Sequence, residues 1–193
     1  MISDAFFVLE GPDGSGKSTL AQELQRVYNI PYFHLTYYKD PLEHQRQFDE
    51  IEQMLDLYLS GKATSGVLFD RFIFSTQVYE HVFHNGSTIT NYVSIMDKLN
   101  AVARKCSTGV NIIFTLPRPK ERYLKAFELL SGTREELYTD IEKMSKVYDA
   151  YDELYKELSK MKLDFNVSEF NYFFESDIRN EGGHKWTNNL LKH

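Results

Sequence analysis

Gly11-Pro12-Asp13-Gly14-Ser15-Gly16-Lys17-Ser18 sets glycines, a lysine and a hydroxyl at the spacing G-x-x-x-x-G-K-[ST]. Glycines let backbone N–H groups curl around phosphate oxygens, and a helix starting here adds the partial positive charge of its N-terminus. The pattern predicts a cradle of Gly14, Ser15, Gly16, Lys17, Ser18 and Thr19 for the phosphates of ATP. Lys17 reaches the β- and γ-phosphates and the Ser18 hydroxyl ligates Mg²⁺. The surroundings agree: Phe6-Phe7-Val8-Leu9 reads as a strand running in, and Thr19 onward as an amphipathic helix running out. A glycine-rich turn holding no ligand explains less of this.

Val67-Leu68-Phe69-Asp70 adds a carboxylate at the C-terminal end of a second apolar run. In an open parallel sheet that end faces the ligand crevice. Asp70 there can hold the Mg²⁺ shell, cap a helix, or both. Arg71 beside it can clamp phosphate through its planar fork.

The elements that must position these groups show in the hydrophobic pattern. Ala5–Leu9, Tyr32–Leu35, Val67–Phe69, Asn111–Leu116 and Leu163–Val167 are short apolar runs of the kind buried on both faces. Helical stripes separate them: Leu20, Leu24, Val27 and Tyr28, then Phe48, Ile51, Leu55 and Tyr58. A longer stripe runs from Leu137 through Ile141, Met144, Tyr148, Tyr151 and Tyr155 to Leu158, and reads better as a helix on the body of the domain than as a coiled coil. Strands alternating with helices predict a parallel sheet covered on both faces. No repeat or long linker divides the 193 residues, so one domain is expected, with a polar extension from about Glu169.

Composition is that of an ordinary globule, 42% hydrophobic and 26% charged, and the net charge of −6 weighs against nucleic acid as a partner. Cys106 is the single cysteine, which excludes an internal disulfide and suits a reducing compartment. No signal peptide and no membrane-length apolar stretch is read, so a cytoplasmic location is the expectation. His81 and His84 lack the further ligands that a metal site needs and read as surface residues.

Leu9-Glu10-Gly11-Pro12-Asp13-Gly14-Ser15-Gly16-Lys17-Ser18-Thr19 resembles the phosphate loop of thymidylate kinases, EG-x-DG-x-GK-[ST]-T. Asp70-Arg71, Ser75-Thr76-Gln77 and Tyr79 resemble their D-R-x-x-x-S-x-x-x-Y segment at the same spacing. The resemblance covers the first 80 residues and implies a three-layer α/β/α P-loop kinase fold with a five-stranded parallel sheet, order 2-3-1-4-5. It implies a deoxynucleoside monophosphate kinase that moves a phosphoryl group from ATP·Mg²⁺ to dTMP or a related pyrimidine nucleotide. By the same resemblance Asp13 contacts the acceptor sugar and phosphate region, and Arg71 orients the acceptor phosphate. Ser75 and Thr76 read the pyrimidine edge, and Tyr79 packs under the sugar and disfavours a 2′-hydroxyl. Ile89, Val93, Met96, Leu99 and Ala103 could face a second copy, as dimer helices do in that family, or face the sheet.

Three segments depart from the pattern. Leu35 to Pro41 replaces a T-R-E-P-G-like loop, leaving Lys39 as its cation. Phe48 and Arg46 stand where a base-stacking aromatic and an arginine are expected, in altered order, and Phe48 reads as either base platform or core. Between about residues 118 and 137 a short lid is expected, with Arg134 as its catalytic arginine; Arg118 and Arg122 read equally as helix surface. The altered base side leaves open a nucleoside, a modified pyrimidine or a polynucleotide hydroxyl as acceptor. A nucleotide-binding ATPase without an acceptor is the third class.

Overall fold

Every residue of β1 (Phe6–Glu10) is buried, because the sheet is covered on both sides and side chains alternate between them. Phe6 and Val8 point into one apolar core with Phe69, Ile112 and Phe114. Phe7 and Leu9 point into a second, smaller one with Leu68 and Ile113. The structure, a computed structural model, describes residues 4–172 apart from 37, 39, 84–89 and 132–139. β2 (Tyr32–His34), β3 (Leu68–Asp70), β4 (Val110–Thr115) and β5 (Asn166–Phe170) complete the sheet. All pairings are parallel and the order is β2-β3-β1-β4-β5, as expected. The fold is therefore the α/β architecture of P-loop kinases, with the crevice at the C-terminal ends of the strands.

Helix α1 (Lys17–Tyr28) covers the smaller core through Leu20, Ala21 and Leu24, while Val27 of its predicted stripe is exposed. On the other face lie α2 (Pro41–Leu59), α3 (Ile73–Phe83), α4 (Tyr92–Lys105), α5 (Lys120–Ser131) and α6 (Ile141–Leu158). Asp40 and Asp140 start α2 and α6 by accepting hydrogen bonds from first-turn N–H groups. α6 buries Met144, Val147, Tyr148, Tyr151 and Leu158 against the domain body. No helix among the described residues is long and apolar enough to cross a membrane.

One expectation changes and two open readings narrow. β5 runs from Asn166 to Phe170, three residues beyond the apolar run Leu163–Val167, so Glu169 belongs to the sheet rather than to a polar extension. Its ladder with β4 sets that register, pairing Asn111 with Asn166 and Thr115 with Phe170. Of the proposed partner face on α4, Leu99 lies in the core and Val93 is exposed, so the stripe does not form one outward surface. Phe48 is 1% exposed and packs with Ile51 and Leu55 in the larger core.

Glu10 ends β1 with a fully buried carboxylate. Its Oε1 accepts from the backbone N–H groups of Phe72 (2.9 Å) and Ser75 (3.3 Å), and its Oε2 from the Ser75 hydroxyl. Ser75 in turn accepts from Tyr151 of α6 at 2.8 Å. The strand end thus supplies the cap that α3 lacks in its own sequence. Burial pushes the Glu10 pKa from 4.5 to about 7, against the Ser75 hydrogen bonds and the charges of Arg71 and Lys17.

Two outcomes are expected. With its folded pKa above the unfolded one, Glu10 holds more protons in the native state between about pH 4.5 and 7, so stability falls as pH rises through that window. In Glu10→Gln that component is gone, and the variant's stability relative to wild type should rise by about 1–3 kcal/mol across the window. Denaturant unfolding at several pH values measures this, and a pH-independent difference would mean that Glu10 stays ionised. Gly66 precedes β3 so closely to β1 that an added Cβ would run into the Ala5 carbonyl. Gly66→Ala should cost about 1–3 kcal/mol in the same measurement, unless the strands can shift without loss.

Candidate active site

The phosphate loop owes its shape to close backbone approach. Gly11 has φ 143°, and a Cβ there would strike Thr115 at the end of β4. The Thr115 hydroxyl donates to the Glu10 carbonyl (3.0 Å) and so takes its second hydrogen bond from Ser15 Oγ (2.6 Å). Ser15 is therefore an anchor of the loop, fastened to β4. Gly16, at φ 93°, leads directly into α1 without any side-chain cap, so the helix start presents backbone N–H groups to a ligand. Lys17 Nζ folds back onto the carbonyls of Gly11 (2.8 Å) and Pro12 (2.7 Å). Burial, with Arg71 close by, lowers its pKa to about 8 despite the carboxylates of Asp13, Asp70 and Glu10.

Across the crevice, Arg71 forms an ion pair with Asp13 and lies over the ring of Tyr79, 5.0 Å from its centroid. Arg71 has φ 70°, in the left-handed region where a side chain is strained, and its N–H is held by the Leu9 carbonyl at 2.9 Å. The Asp13 backbone is fixed at both polar groups: its N–H donates to Tyr79 Oη (3.1 Å), and its carbonyl accepts from Tyr123 of α5 (2.8 Å). Burial alone would raise the Asp13 carboxyl, but Arg71 and Lys17 together hold its pKa below the usual value. The Arg71 pKa is correspondingly pushed well above its ordinary value.

Asp70 ends β3 at 1% exposure. Its Oδ2 accepts from Tyr32 Oη (2.8 Å) and lies 3.3 Å from His34 Nδ1, both on β2. Its Oδ1 is buried with no hydrogen-bond partner among the described residues. Burial favours protonation here, yet the His34 and Tyr32 hydrogen bonds and the Lys17 charge hold its pKa below the usual carboxylate range. Asp70, Ser18 and the loop line one cavity of about 450 Å³, together with Asp13, Thr19, Arg71 and Tyr172. An ionised carboxylate with one oxygen unspent, sharing a pocket with a phosphate-loop hydroxyl, fits a hard cation that takes oxygen ligands.

The other predicted site residues divide. Thr76 is buried on α3 with its Oγ1 3.4 Å from His44 Nε2. The hydroxyl of Ser75 is taken by Glu10 and Tyr151, so Ser75 serves the α3 cap and is not placed to read a base. Phe48 faces the imidazole of His44 (centroids 5.3 Å apart) from within the core, which fits packing and not a base platform. Arg118 donates to Glu169 and Asp152, an ion network between β5 and α6, and is not a lid arginine. Lys39 and Arg134 lie outside the described residues; α5 fills much of the segment expected to be the lid.

Sequence reading missed Thr115, Tyr123, Tyr32, His34 and Tyr172. Tyr172 follows β5, and its ring would lie 2.8 Å from a Cβ at Gly16, so it flanks the phosphate loop. None of these carries a local pattern. They reach the crevice because each stands at or near the C-terminal end of a strand or on a helix that returns across it.

No family model matches the chain, and no curated protein sequence does. Solved structures do resemble it. YorR from Bacillus subtilis, in complex with phosphorylated GDP, superposes with a TM-score of 0.56 at 16% identity, over 93% of this chain and 99% of that one. Deoxyadenosine kinase from M. mycoides with bound dATP gives 0.50 at 17% identity, over 92% and 98%. At this identity the likeness establishes the shared fold: this chain has the P-loop kinase architecture along nearly its whole described length.

Proposed function

We propose that the protein is an ATP-dependent deoxynucleoside monophosphate kinase, acting on dTMP or a related pyrimidine nucleotide. The observation that carries this reading is the pairing of Arg71 with Asp13 across the mouth of a phosphate-loop pocket. A cation held there, facing Lys17, suits two phosphates brought end to end. The resemblance of both motifs to thymidylate kinases supports it, as does the binding of nucleotides by the structural neighbours.

In this reading an acceptor phosphate oxygen attacks the γ-phosphorus, the bond to the β–γ bridging oxygen breaks, and ADP and the nucleoside diphosphate leave without a covalent intermediate. Lys17 turns from its two loop carbonyls to the β- and γ-phosphates. Backbone N–H groups from Gly14 to Thr19 bind the phosphate oxygens at the start of α1. Ser18 and Asp70 would hold Mg²⁺, which when bound would spread the charge of the transferring group. Arg71 exchanges Asp13 for the acceptor phosphate and orients it, and Asp13 is released toward the acceptor sugar. The Tyr79 ring crowds the sugar and favours deoxyribose. Arg134 and Lys39, both outside the described residues, are the further cations assigned to the site.

Transfer of the γ-phosphate from ATP to a panel of nucleotides, nucleosides and DNA tests this. Wild type should phosphorylate pyrimidine deoxynucleoside monophosphates, Lys17→Ala should lose turnover, and Arg71→Ala should lose about 10²–10⁴ in kcat/KM. Hydrolysis of ATP equally fast without any acceptor would instead identify a nucleotide-binding ATPase.

A further inference from the structure

Tyr32 and His34 turn their polar tips onto one atom, Oδ2 of Asp70, and neither has a task in the phosphoryl-transfer scheme above. β2 and β3 pair in parallel, with His34 beside Asp70 and Tyr32 beside Leu68. Leu68 belongs to the smaller core, so Tyr32, His34 and Asp70 share the face of the sheet that α1 covers. The two rings stack, with centroids 6.4 Å apart and planes 18° from parallel. Tyr32 Oη donates across 2.8 Å, and His34 Nδ1 lies 3.3 Å from the same oxygen. A carboxylate oxygen only accepts, so the imidazole nitrogen facing it carries the hydrogen.

The result is an uneven carboxylate. Oδ2 has two donors, while Oδ1 of the same group is buried with no hydrogen-bond partner among the described residues. Asp70 and His34 both line the cavity that Lys17, Ser18 and the phosphate loop share. With apolar residues on β2 the carboxylate could turn, and it could grip a cation with either oxygen or with both. Tied to β2 through Oδ2, it offers one oxygen in one direction. That difference separates two hard cations. Ca²⁺ takes many oxygen ligands in flexible geometry and readily accepts a bidentate carboxylate. Mg²⁺ is smaller, demands a near-octahedral shell and keeps several of its waters.

We propose that Tyr32 and His34 make Asp70 a one-oxygen ligand and so set the site's preference for Mg²⁺ over Ca²⁺; this rests on the ATP·Mg²⁺ half of the reading above. Both are positioning residues, acting through Asp70 and not on the nucleotide. Tyr32, with the shorter hydrogen bond, holds the plane of the carboxylate. His34, which lines the cavity, also screens Oδ2 from it. Partners of this kind, one shell out from the ion, orient the ligand and tune which ion it takes.

Equilibrium binding of a fluorescent β,γ-imido ATP analogue tests this without turnover, in saturating Mg²⁺, in saturating Ca²⁺ and in EDTA. Wild type should bind more tightly with Mg²⁺ than with Ca²⁺. In Tyr32→Phe/His34→Phe, where Oδ2 is released, the Mg²⁺ advantage should fall about tenfold while affinity in EDTA stays unchanged. Tyr32→Phe alone, which removes one hydroxyl and leaves the strand's packing, should shift the ratio in the same direction if the double variant does not fold. His34→Asn, whose amide still donates, should keep the wild-type ratio. An unchanged ratio in folded Tyr32→Phe and double variants overturns the inference, and so does a wild type that binds equally with both cations. An equal loss of affinity in EDTA also overturns it, because the pair then supports the phosphate loop itself. All three results leave the kinase reading to the acceptor panel. If the analogue binds under none of the conditions, the donor site fails and this inference with it.

Discussion

Arg71 occupies the left-handed backbone region, and the surrounding structure pays to keep it there. A non-glycine residue in that region costs on the order of 1–3 kcal/mol, and three contacts from one strand end oppose the cost. Leu9 takes the Arg71 N–H through its carbonyl, and the Glu10 carboxylate takes those of Phe72 and Ser75. The turn after β3 is thereby fastened to the end of β1, the same point from which the phosphate loop departs. The phosphate loop and the turn that carries Arg71 thus share one foundation, and their separation is set by the adjacent parallel strands β1 and β3.

This arrangement explains why Arg71 meets Asp13. A guanidinium largely withdrawn from water is costly without a counter-charge. Because Arg71 and Asp13 keep 17% and 31% of their side chains exposed, breaking the pair should cost less than the ~3–5 kcal/mol typical of a fully buried one. Asp13 supplies the counter-charge, and Tyr79 supplies an aromatic face under the guanidinium. The Asp13 backbone is held separately, by the hydroxyls of Tyr79 and Tyr123. The loop's shape at Asp13 therefore does not depend on the ion pair that its side chain makes with Arg71.

What the sequence disclosed follows from how local each feature is. The phosphate loop is contiguous, and its glycines are demanded by backbone geometry, so Gly11 through Thr19 and the flanking strand and helix could be read directly. Asp70-Arg71 was legible because it ends an apolar run. β5 was misplaced because it is an edge strand whose polar residues, Asn166 and Glu169, are satisfied by Asn111 and Arg118 across the fold. Ser75 looked like a substrate contact because its hydroxyl is spaced correctly from Arg71; only the meeting of β1, α3 and α6 shows that Glu10 and Tyr151 consume it. Phe48 was ambiguous for a similar reason, since a helical stripe fixes a face and says nothing of what that face meets.

The two halves of the crevice are consequently specified in different ways. The phosphate-loop half is written into one contiguous segment that leads into α1 and is fastened to β4 through Ser15 and Thr115. The half that carries Arg71 is assembled from β3, α3 and α5, whose Tyr79 and Tyr123 are placed by the core that packs those helices on the sheet. The strand-end constraint joins the two, because Leu9 and Glu10 fasten the Arg71 turn to the strand from which the phosphate loop departs.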